Sequence, residues 1–494
     1  MKKVRCSLLF LLSFLLFFPT LSVADQWQIV GPRALGMGGA HVAVVNDATA
    51  QYWNPAAFGF FGRQAGEKSG IDEHSNKDFG MHIHGGLGYQ SHEDTAKEID
   101  DVLSIDHATI QADVAAGGLD IGNVEDYIRL IGELEDLNKS DMGVTALVDA
   151  SFNIRVRNWG VGVLGTVDVA AIPVMDLVNI NPDSGNMITY LQNLTPVNSN
   201  PDVLTQTEMD TLAALITPLA NWDGATATTY VQALDDALSN QGYTQIPPGF
   251  FESAYDTANL ASGAAGGGTF DNNSSTIVFR GISITEVPLT YGFALSNNFS
   301  LGVNLKAMKA KTYYYSEKIY NSDSDDLYDN MDNDSEESSD FGLDLAALYK
   351  AGPLRVGVVA RNVNKPSFDY AGPGDYEVDP QVRAGAAIRL GSWITIAADM
   401  DLTENDTNVS DHYKSRTVAI GAELDLLRFL RLRAGGYKNL SESDIGTVYT
   451  AGLGLNFYAF QLDTGVAWSK EKAEIEGEDM REEARGELAL SFQF

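Results

Sequence analysis

Several stretches of the chain alternate apolar and polar residues with a period of two. Val144, Ala146, Val148, Ala150, Phe152, Ile154 and Val156 share one face. The opposite face carries Thr145, Asp149, Ser151, Asn153, Arg155 and Arg157. Farther on, Val382, Ala384, Ala386, Ile388 and Leu390 oppose Gln381, Arg383, Gly385, Ala387 and Arg389. Val418, Ile420, Ala422, Leu424 and Leu426 oppose Thr417, Ala419, Gly421, Glu423 and Asp425, and Leu430, Leu432 and Ala434 oppose Arg431, Arg433 and Gly435. This is the signature of strands facing two different environments. About fourteen strands are expected, near 79–89, 142–156, 159–171, 280–296, 298–312, 338–350, 354–363, 381–390, 393–402, 415–426, 428–438, 446–457, 459–469 and 485–494.

The connections carry as much information as the strands. Every second one is tight: Arg157-Asn158-Trp159, Ser296-Asn297-Asn298, Lys350-Ala351-Gly352-Pro353, Gly391-Ser392, the neighbourhood of Leu427, and Tyr458. The others are long and polar: 90–141, 172–279, 313–337, 364–380, 403–414, 439–445 and 470–484. A transmembrane β-barrel alternates in this way, with short periplasmic turns and long extracellular loops. Two of the long loops, over 94–139 and 203–241, have apolar residues at helical spacing. The last strand places Leu488, Leu490, Phe492 and Phe494 on one face and Glu487, Ala489, Ser491 and Gln493 on the other. Loop parity sends it downward, with the aromatic terminus Phe492 and Phe494 at the periplasmic side, where the barrel assembly machinery would read it. Tyr313, Tyr314, Tyr315 and Tyr320 at one membrane interface, and Trp159, Trp393, Phe457 and Tyr458 at the other, suit an aromatic girdle.

The amino terminus fits export. Lys2, Lys3 and Arg5 precede an apolar run from Ser7 to Phe18, and Ser22-Val23-Ala24 supplies small residues for cleavage after Ala24. The run is shorter than the roughly 20 residues of a spanning helix. Cys6 would leave with the signal, so the mature chain would have no disulfide or thiol chemistry. Losing Lys2, Lys3 and Arg5 takes the net charge from −34 to −37, which argues against nucleic acid or an anionic membrane surface as partner. The expected organisation is a signal peptide at 1–24, an N-terminal hatch or plug at 25–78 and an all-β transmembrane barrel at 79–494. The barrel carries a helical loop at 90–141, a large helical insertion at 172–279 and an acidic loop at 313–337.

Candidate chemistry is sparse. Gly36, Gly38 and Gly39 lack the following Lys-Ser/Thr of a phosphate loop and the spacing of a dinucleotide fold. They suit close backbone passage in a crowded lumen. Arg155, Arg157, Arg355, Arg361, Arg383, Arg389, Arg431 and Arg433, with Asp149, Asp168, Glu423 and Asp425, lie on polar strand faces. They are expected to form a lumenal charge network, or to supply an arginine for a substrate carboxylate. Asp332, Asp334 and Glu336 in the acidic run 323–340 alternate like calcium ligands, but the glycine of that motif is missing, so a solvated acidic loop is expected. His82 and His84 share a strand face without further ligands in sight, so no metal is assigned. No catalytic motif appears, no cofactor is implied, and the protein is read as a non-enzyme.

The residues Arg33-Ala-Leu-Gly-Met-Gly-Gly-Ala40, Asn46-Asp47-Ala48 and Trp53-Asn54-Pro55-Ala56 resemble the start of the FadL/TodX-type outer-membrane transport proteins. The resemblance is closer to the conjugal-transfer TraF-like or PorV-like branch. It implies a fourteen-stranded barrel plugged by a hatch that ends in Asn54, Pro55 and Ala56, with Gly36, Gly38 and Gly39 inside the hatch. It further implies a Gram-negative outer-membrane location, the lipid bilayer as partner, and passive diffusion of hydrophobic or amphipathic ligands of the fatty-acid type. The TraF-like or PorV-like likeness equally implies a non-transporting partner barrel in conjugative transfer, protein secretion or surface assembly. Protein partners are not specified by either. Deleting Phe494 is expected to lower the amount of assembled barrel severalfold, measured as the heat-modifiable band in outer-membrane fractions.

Overall fold

The computed structural model describes residues 26–61, 78–103, 136–176, 203–220, 223–240, 273–318, 331–391, 393–426, 429–457, 460–475 and 478–493. The leader at 1–24, Phe494, Tyr320 and Tyr458 lie outside them, as do parts of the helical loops. The strands in chain order are β1 (Phe79–His92), β2 (Gly143–Val156), β3 (Trp159–Val174), β4 (Thr276–Ala294), β5 (Phe299–Lys318), β6 (Ser335–Ala351) and β7 (Leu354–Arg361). Then follow β8 (Ser367–Asp369), β9 (Asp375–Glu377), β10 (Gln381–Leu390), β11 (Ile394–Asp401), β12 (Asn405–Asp406), β13 (Lys414–Ser415) and β14 (Thr417–Leu426). The last are β15 (Leu430–Asn439), β16 (Thr447–Phe457), β17 (Phe460–Ser469), β18 (Lys472–Ile475), β19 (Glu478–Arg481) and β20 (Glu483–Gln493).

Fourteen of these strands close into one antiparallel barrel, in which β20 pairs with both β17 and β1. The closing seam runs from Gly80 opposite Gln493 to Gln90 opposite Glu483. The remaining strands form three short hairpins, β8–β9, β12–β13 and β18–β19, in the long loops. Each expected barrel strand is present.

The alternation becomes two surfaces. Leu87, Val148, Phe152, Val163, Leu305, Ile420, Val466 and Leu488 point outward and are exposed. A belt of this kind is stable only against lipid, and in lipid only a closed sheet satisfies every backbone N–H and C=O. No helix among the described residues is long and apolar enough to cross a membrane. Trp159, Tyr291, Phe293, Phe429, Phe457, Phe460 and Phe492 cluster around the short-turn end. Phe492 thus joins the aromatic ring, 6.3 Å from Phe460.

Two expectations about the loops change. The acidic loop begins later and ends earlier than 313–337, because β5 continues to Lys318 and β6 starts at Ser335. The ladder still holds at Tyr313 opposite Ser335 and Lys309 opposite Ser339. Lysines alternating on β5 offset the carboxylates of β6, as in the 2.6 Å pair between Lys309 and Glu337, so the acidic run extends as strand. The tyrosines do not all face lipid either: Tyr314 packs edge-on against Tyr370, 5.9 Å away on the β8–β9 side. In the insertion, helices span Gln206–Ala220 and Gly224–Asn240, and Asp235 accepts the backbone N–H groups of Val203 and Leu204.

Residues 26–61 fill the barrel. Trp27, Leu35, Met37, Trp53 and Phe58 are almost completely buried. Backbone meets backbone where wall glycines line the lumen. A Cβ on Gly302 would lie 2.2 Å from Ala56 N and from the Pro55 carbonyl carbon, and one on Gly421 would lie 2.2 Å from Met37 O. On Gly292 it would meet Gly59 N at 2.4 Å, and on Gly465 it would meet Pro32 O at 2.5 Å. Gly302→Leu is therefore expected to displace the plug at a cost of about 1–3 kcal/mol or more. Limited proteolysis of residues 26–61 in the purified barrel measures this, and a protected plug in a correctly assembled variant would contradict it.

Candidate functional site

The plug is built from short, tightly turned pieces. Gly31, at φ 92°, turns the chain into the helix Pro32–Gly36, where proline at the first position sacrifices no N–H bond. Gly38, at φ 66°, sits against Gly436 of β15 in a conformation and a space that exclude side chains. A second turn, Ala50–Trp53, ends at Asn54, which caps the 3₁₀ helix Pro55–Phe60 by accepting the Ala56 N–H at 3.0 Å. The Asn54 amide donates to Val42 O at 2.9 Å, tying the two halves of the plug together. Ser300 Oγ of the wall donates to Ala56 O at 2.6 Å. Inside the plug, Tyr52 donates to Gln28 O and Trp53 to Val30 O. Gly39 faces Ile29 within the plug rather than the wall.

Charge fixes the plug to the wall. Arg33 makes two 2.9 Å bonds to the carboxylate of Glu423 and a third to Asn46. Arg433 shares Glu423 at 2.7 Å and reaches Asp463 at 2.6 Å. Asp399 accepts the backbone N–H groups of His41 and Val42 at 2.7 and 2.8 Å. The His41 ring is pushed down to about 3 by burial, with Arg33 adding to the effect, so it stays neutral in water of ordinary pH. Arg383 pairs with Asp401 and stacks 4.7 Å from the Trp27 ring. Arg361 reaches Glu286 and lies 4.0 Å from the Tyr52 ring. Arg155 stacks 4.3 Å from Phe61. Among the polar-face residues, Asp149 receives His84 at 3.0 Å and Asp168 receives Gln26 at 2.8 Å.

Arg355, Arg389, Arg431 and Asp425 lie lower, around a cavity of about 40 Å³ near the short turns. Arg157 is outside the lumen: its φ of 51° ends β2 in a turn, and the exposed side chain pairs with Asp78. The strand ends at Val156 as expected, and it is the assignment of Arg157 to the lumenal charge network that is corrected. Sequence reasoning missed Lys306, fully buried between Glu286 and Asp344 at 2.9 and 3.1 Å, together with Arg33, Asp399, Asp401 and Asp463. Continuing the alternation along β5 and β17 would have marked Lys306 and Asp463 as inward. His82 bonds to Ser491 and His84 bridges Asp149 and Ser151. Among the described residues no three His, Cys, Asp or Glu side chains are arranged to hold a metal ion.

The mouth is covered as well. Asn408 from the β12–β13 loop donates to Asp168, and Tyr413 donates to Asp444 at 2.7 Å. The β8–β9 hairpin buries Phe368 and Val378 against Ile282, Ile284, Met308 and Ala310 on the inner faces of β4 and β5. Further cavities, of about 50 Å³ above the plug and about 10 Å³ beside Pro288, lie in the lumen. These volumes suit waters; the cavity that holds a benzene ring is about 150 Å³. At Pro288 the wall itself is interrupted. The β3–β4 register runs Val161 opposite Leu289, then Leu164 opposite Glu286, leaving Gly162 and Val163 unpaired with Pro288 and Val287.

Fold and site together define a plugged fourteen-stranded barrel of the outer-membrane type. The sequence model of the family described as F plasmid transfer operon, TraF, protein matches residues 51–401, and the chain belongs to that family. No curated protein sequence matches it. Among solved structures it is similar to the toluene transporter TbuX of Ralstonia pickettii, with 9% identity, 95% of this chain and 99% of that chain covered, and a TM-score of 0.46. It is similar also to the toluene transporter TodX of P. putida, at 8% identity, 95% and 99% coverage and a TM-score of 0.43. A FadL homologue of Pseudomonas aeruginosa shows 8% identity, 96% and 98% coverage and a TM-score of 0.41.

One titrating group reports on closure of the mouth. Glu482, between β19 and β20, accepts the Ser91 N–H on its backbone carbonyl at 2.7 Å. Burial pushes its carboxyl from 4.5 up to about 7, and Asp94 and Asp444 add repulsion. The Ser91–Glu482 bond extends the β1–β20 seam one step beyond Gln90–Glu483, and with that end paired the carboxyl holds a proton that it releases when the end frays. Pairing there is fully supported below about pH 4.5 and weakens as pH rises through about 7. Hydrogen exchange at the Ser91 amide, corrected for intrinsic rate, is expected to show this loss of protection, and Glu482→Gln to flatten it.

Proposed function

We propose that the protein is a passive outer-membrane channel for hydrophobic or amphipathic small molecules, exported by the signal peptide and cleaved after Ala24. The observation that carries this reading is the wall interruption at Pro288. Proline lacks the N–H that a ladder needs, so the β3–β4 seam is weakest there. It opens on its inner side to the small cavity lined by Leu164, Ser151 and Glu286. On the same inward face of β4, Ile284 and Ile282 lie four and six residues higher, roughly 14–20 Å along the strand. Apolar side chains facing the lumen above the plug suit capture of an apolar ligand.

In this mechanism a ligand displaces Phe368 from the apolar patch and passes the Lys306–Glu286–Arg361 cluster. It leaves sideways between β3 and β4 into the lipid, or downward once the hatch releases. Hatch release breaks the Arg33–Glu423 pair and the Asp399 bonds, which are reversible polar contacts. Nothing in the route consumes a nucleotide or needs a cofactor, and no catalysis is assigned. The resemblance of Asn54, Pro55 and Ala56 to the hatch motif supports the same reading, as does the two-residue gap in the β3–β4 ladder beside Pro288.

The mature chain has no other cysteine on this reading, so a cross-link can be placed cleanly. Val163→Cys with Val287→Cys puts two thiols across the interrupted seam. Oxidised, this variant is expected to lose at least about tenfold of its uptake of a monoaromatic hydrocarbon or a long-chain fatty acid into reconstituted vesicles, a barrier change of about 1.4 kcal/mol. Reductant should restore it. Unchanged uptake in the fully cross-linked protein would exclude the sideways exit. No uptake by the wild-type protein, with plasmid transfer or secretion lost on deletion, would replace the channel reading with that of a partner barrel.

A further inference from the structure

We propose that Asn408 is a positioning residue that ties the hairpin over the mouth to the plug, acting through Asp168. The β8–β9 hairpin pairs Phe368 directly opposite Tyr376. Phe368 is buried in the apolar patch of β4 and β5, and Tyr376 packs against the same patch. Residues opposite one another in a hairpin point to the same face, so whatever lifts Phe368 carries Tyr376 with it. The Tyr376 hydroxyl donates to Asn408 Oδ1 at 3.0 Å. Asn408 Nδ2 donates to the backbone carbonyl of Asp168 and to Asp168 Oδ1, each at 3.1 Å. The other carboxylate oxygen, Asp168 Oδ2, accepts the Gln26 amide of the plug at 2.8 Å. Hairpin, β12–β13 loop, wall and plug are thus joined by one chain of hydrogen bonds.

Geometry makes Asn408 the centre of this chain. Both Asn408 and Asp168 are buried. By gripping the carbonyl and the carboxylate of one residue, the Asn408 amide fixes the Asp168 side chain and aims Oδ2 at Gln26. The amide fits one way round, because turned over it would set its own oxygen against the oxygens of Asp168. The loop does not depend on this side chain for its place. Arg280 of β4 donates to the Asn408 backbone carbonyl at 2.6 Å, and Tyr413 farther along donates to Asp444. Removing the Asn408 amide therefore leaves the loop seated and releases Asp168 to turn away from Gln26. Hydrogen bonds that share groups in this way strengthen or weaken together.

The link stands whether or not hydrophobes cross the barrel, so it is tested without ligand and failed uptake leaves it untouched. In the full-length mature barrel in detergent, Val30→Cys puts a thiol in the plug close to Gln26, at a position only 2% exposed. Its rate of labelling by a maleimide reports how often that end of the plug opens. In this background Asn408→Ala is expected to raise the rate about fivefold, the equivalent of one hydrogen bond. Tyr376→Phe removes only the hydroxyl and should raise it by a smaller factor. Because both act through one link, Tyr376→Phe combined with Asn408→Ala should label no faster than Asn408→Ala alone. Asn408→Asp sets two carboxylates face to face and should label fastest. Adding Asp168→Asn to it restores a donor opposite an acceptor and keeps an oxygen for Gln26, so labelling should slow again, a rescue that general loosening of the mouth does not give. The proposal is overturned if a heat-modifiable Asn408→Ala barrel labels at the wild-type rate. It is also overturned if the Tyr376→Phe and Asn408→Ala factors multiply, or if the exchange of the two side chains gives no rescue.

Discussion

Closure of β20 onto β1 is the constraint from which the rest of the structure follows. In hydrocarbon an unpaired strand edge leaves a row of N–H and C=O groups with no water to bond, at a cost of several kcal/mol for each group. The seam from Gly80–Gln493 to Gln90–Glu483 removes both edges at once. Once the sheet is closed, alternation must send one set of side chains to lipid and the other into a lumen. A fourteen-stranded ring is too wide for its own inward side chains to fill, so the plug occupies the centre. The glycines at 292, 302, 421 and 465 are the consequence: backbone packs on backbone because no side chain fits between.

The lumen is stabilised by a different balance from that of a soluble core. Apolar packing among Trp27, Trp53, Phe58 and Met37 holds the plug together, while charged pairs attach it to the wall. Buried ion pairs add modest net stability, because desolvation offsets most of the Coulomb gain. They do impose geometry. Arg33 forks onto Glu423, Asp399 grips two successive N–H groups, and Arg361 and Arg383 lie beside the aromatic rings of Tyr52 and Trp27. Such contacts position a segment closely and can exchange partners without breaking the barrel. That combination seats the plug in one place through contacts that are individually reversible.

The candidate site was legible only in part. Arg155, Arg361, Arg383, Arg431 and Arg433 were recognisable as inward from strand parity, since each alternates with residues that reach lipid. Arg157 continued the same parity on paper, but its left-handed backbone conformation ended the strand before its side chain could turn inward. Lys306 and Asp344 sit 38 positions apart in sequence numbering and meet at 3.1 Å because β5 and β6 pair in one particular register. In the sequence, Pro288 is a single proline inside the strand expected near 280–296, and nothing local shows a gap in the wall. That it falls opposite Gly162 and Val163, beside a cavity, depends on how β3 and β4 align.

The sequence by itself determined the barrel: period-two alternation, the parity of loop lengths and an aromatic terminal strand are local patterns, and lipid admits one closed solution for them. The Arg33–Glu423 clasp, the folding of the β8–β9 hairpin over Ile282 and Ile284, and the gathering of four arginines beneath the plug were decided by tertiary structure alone. Each joins residues far apart in the chain. Which of many inward charges meet is set by strand register, barrel curvature and the seating of the plug, none of which is written into any local pattern.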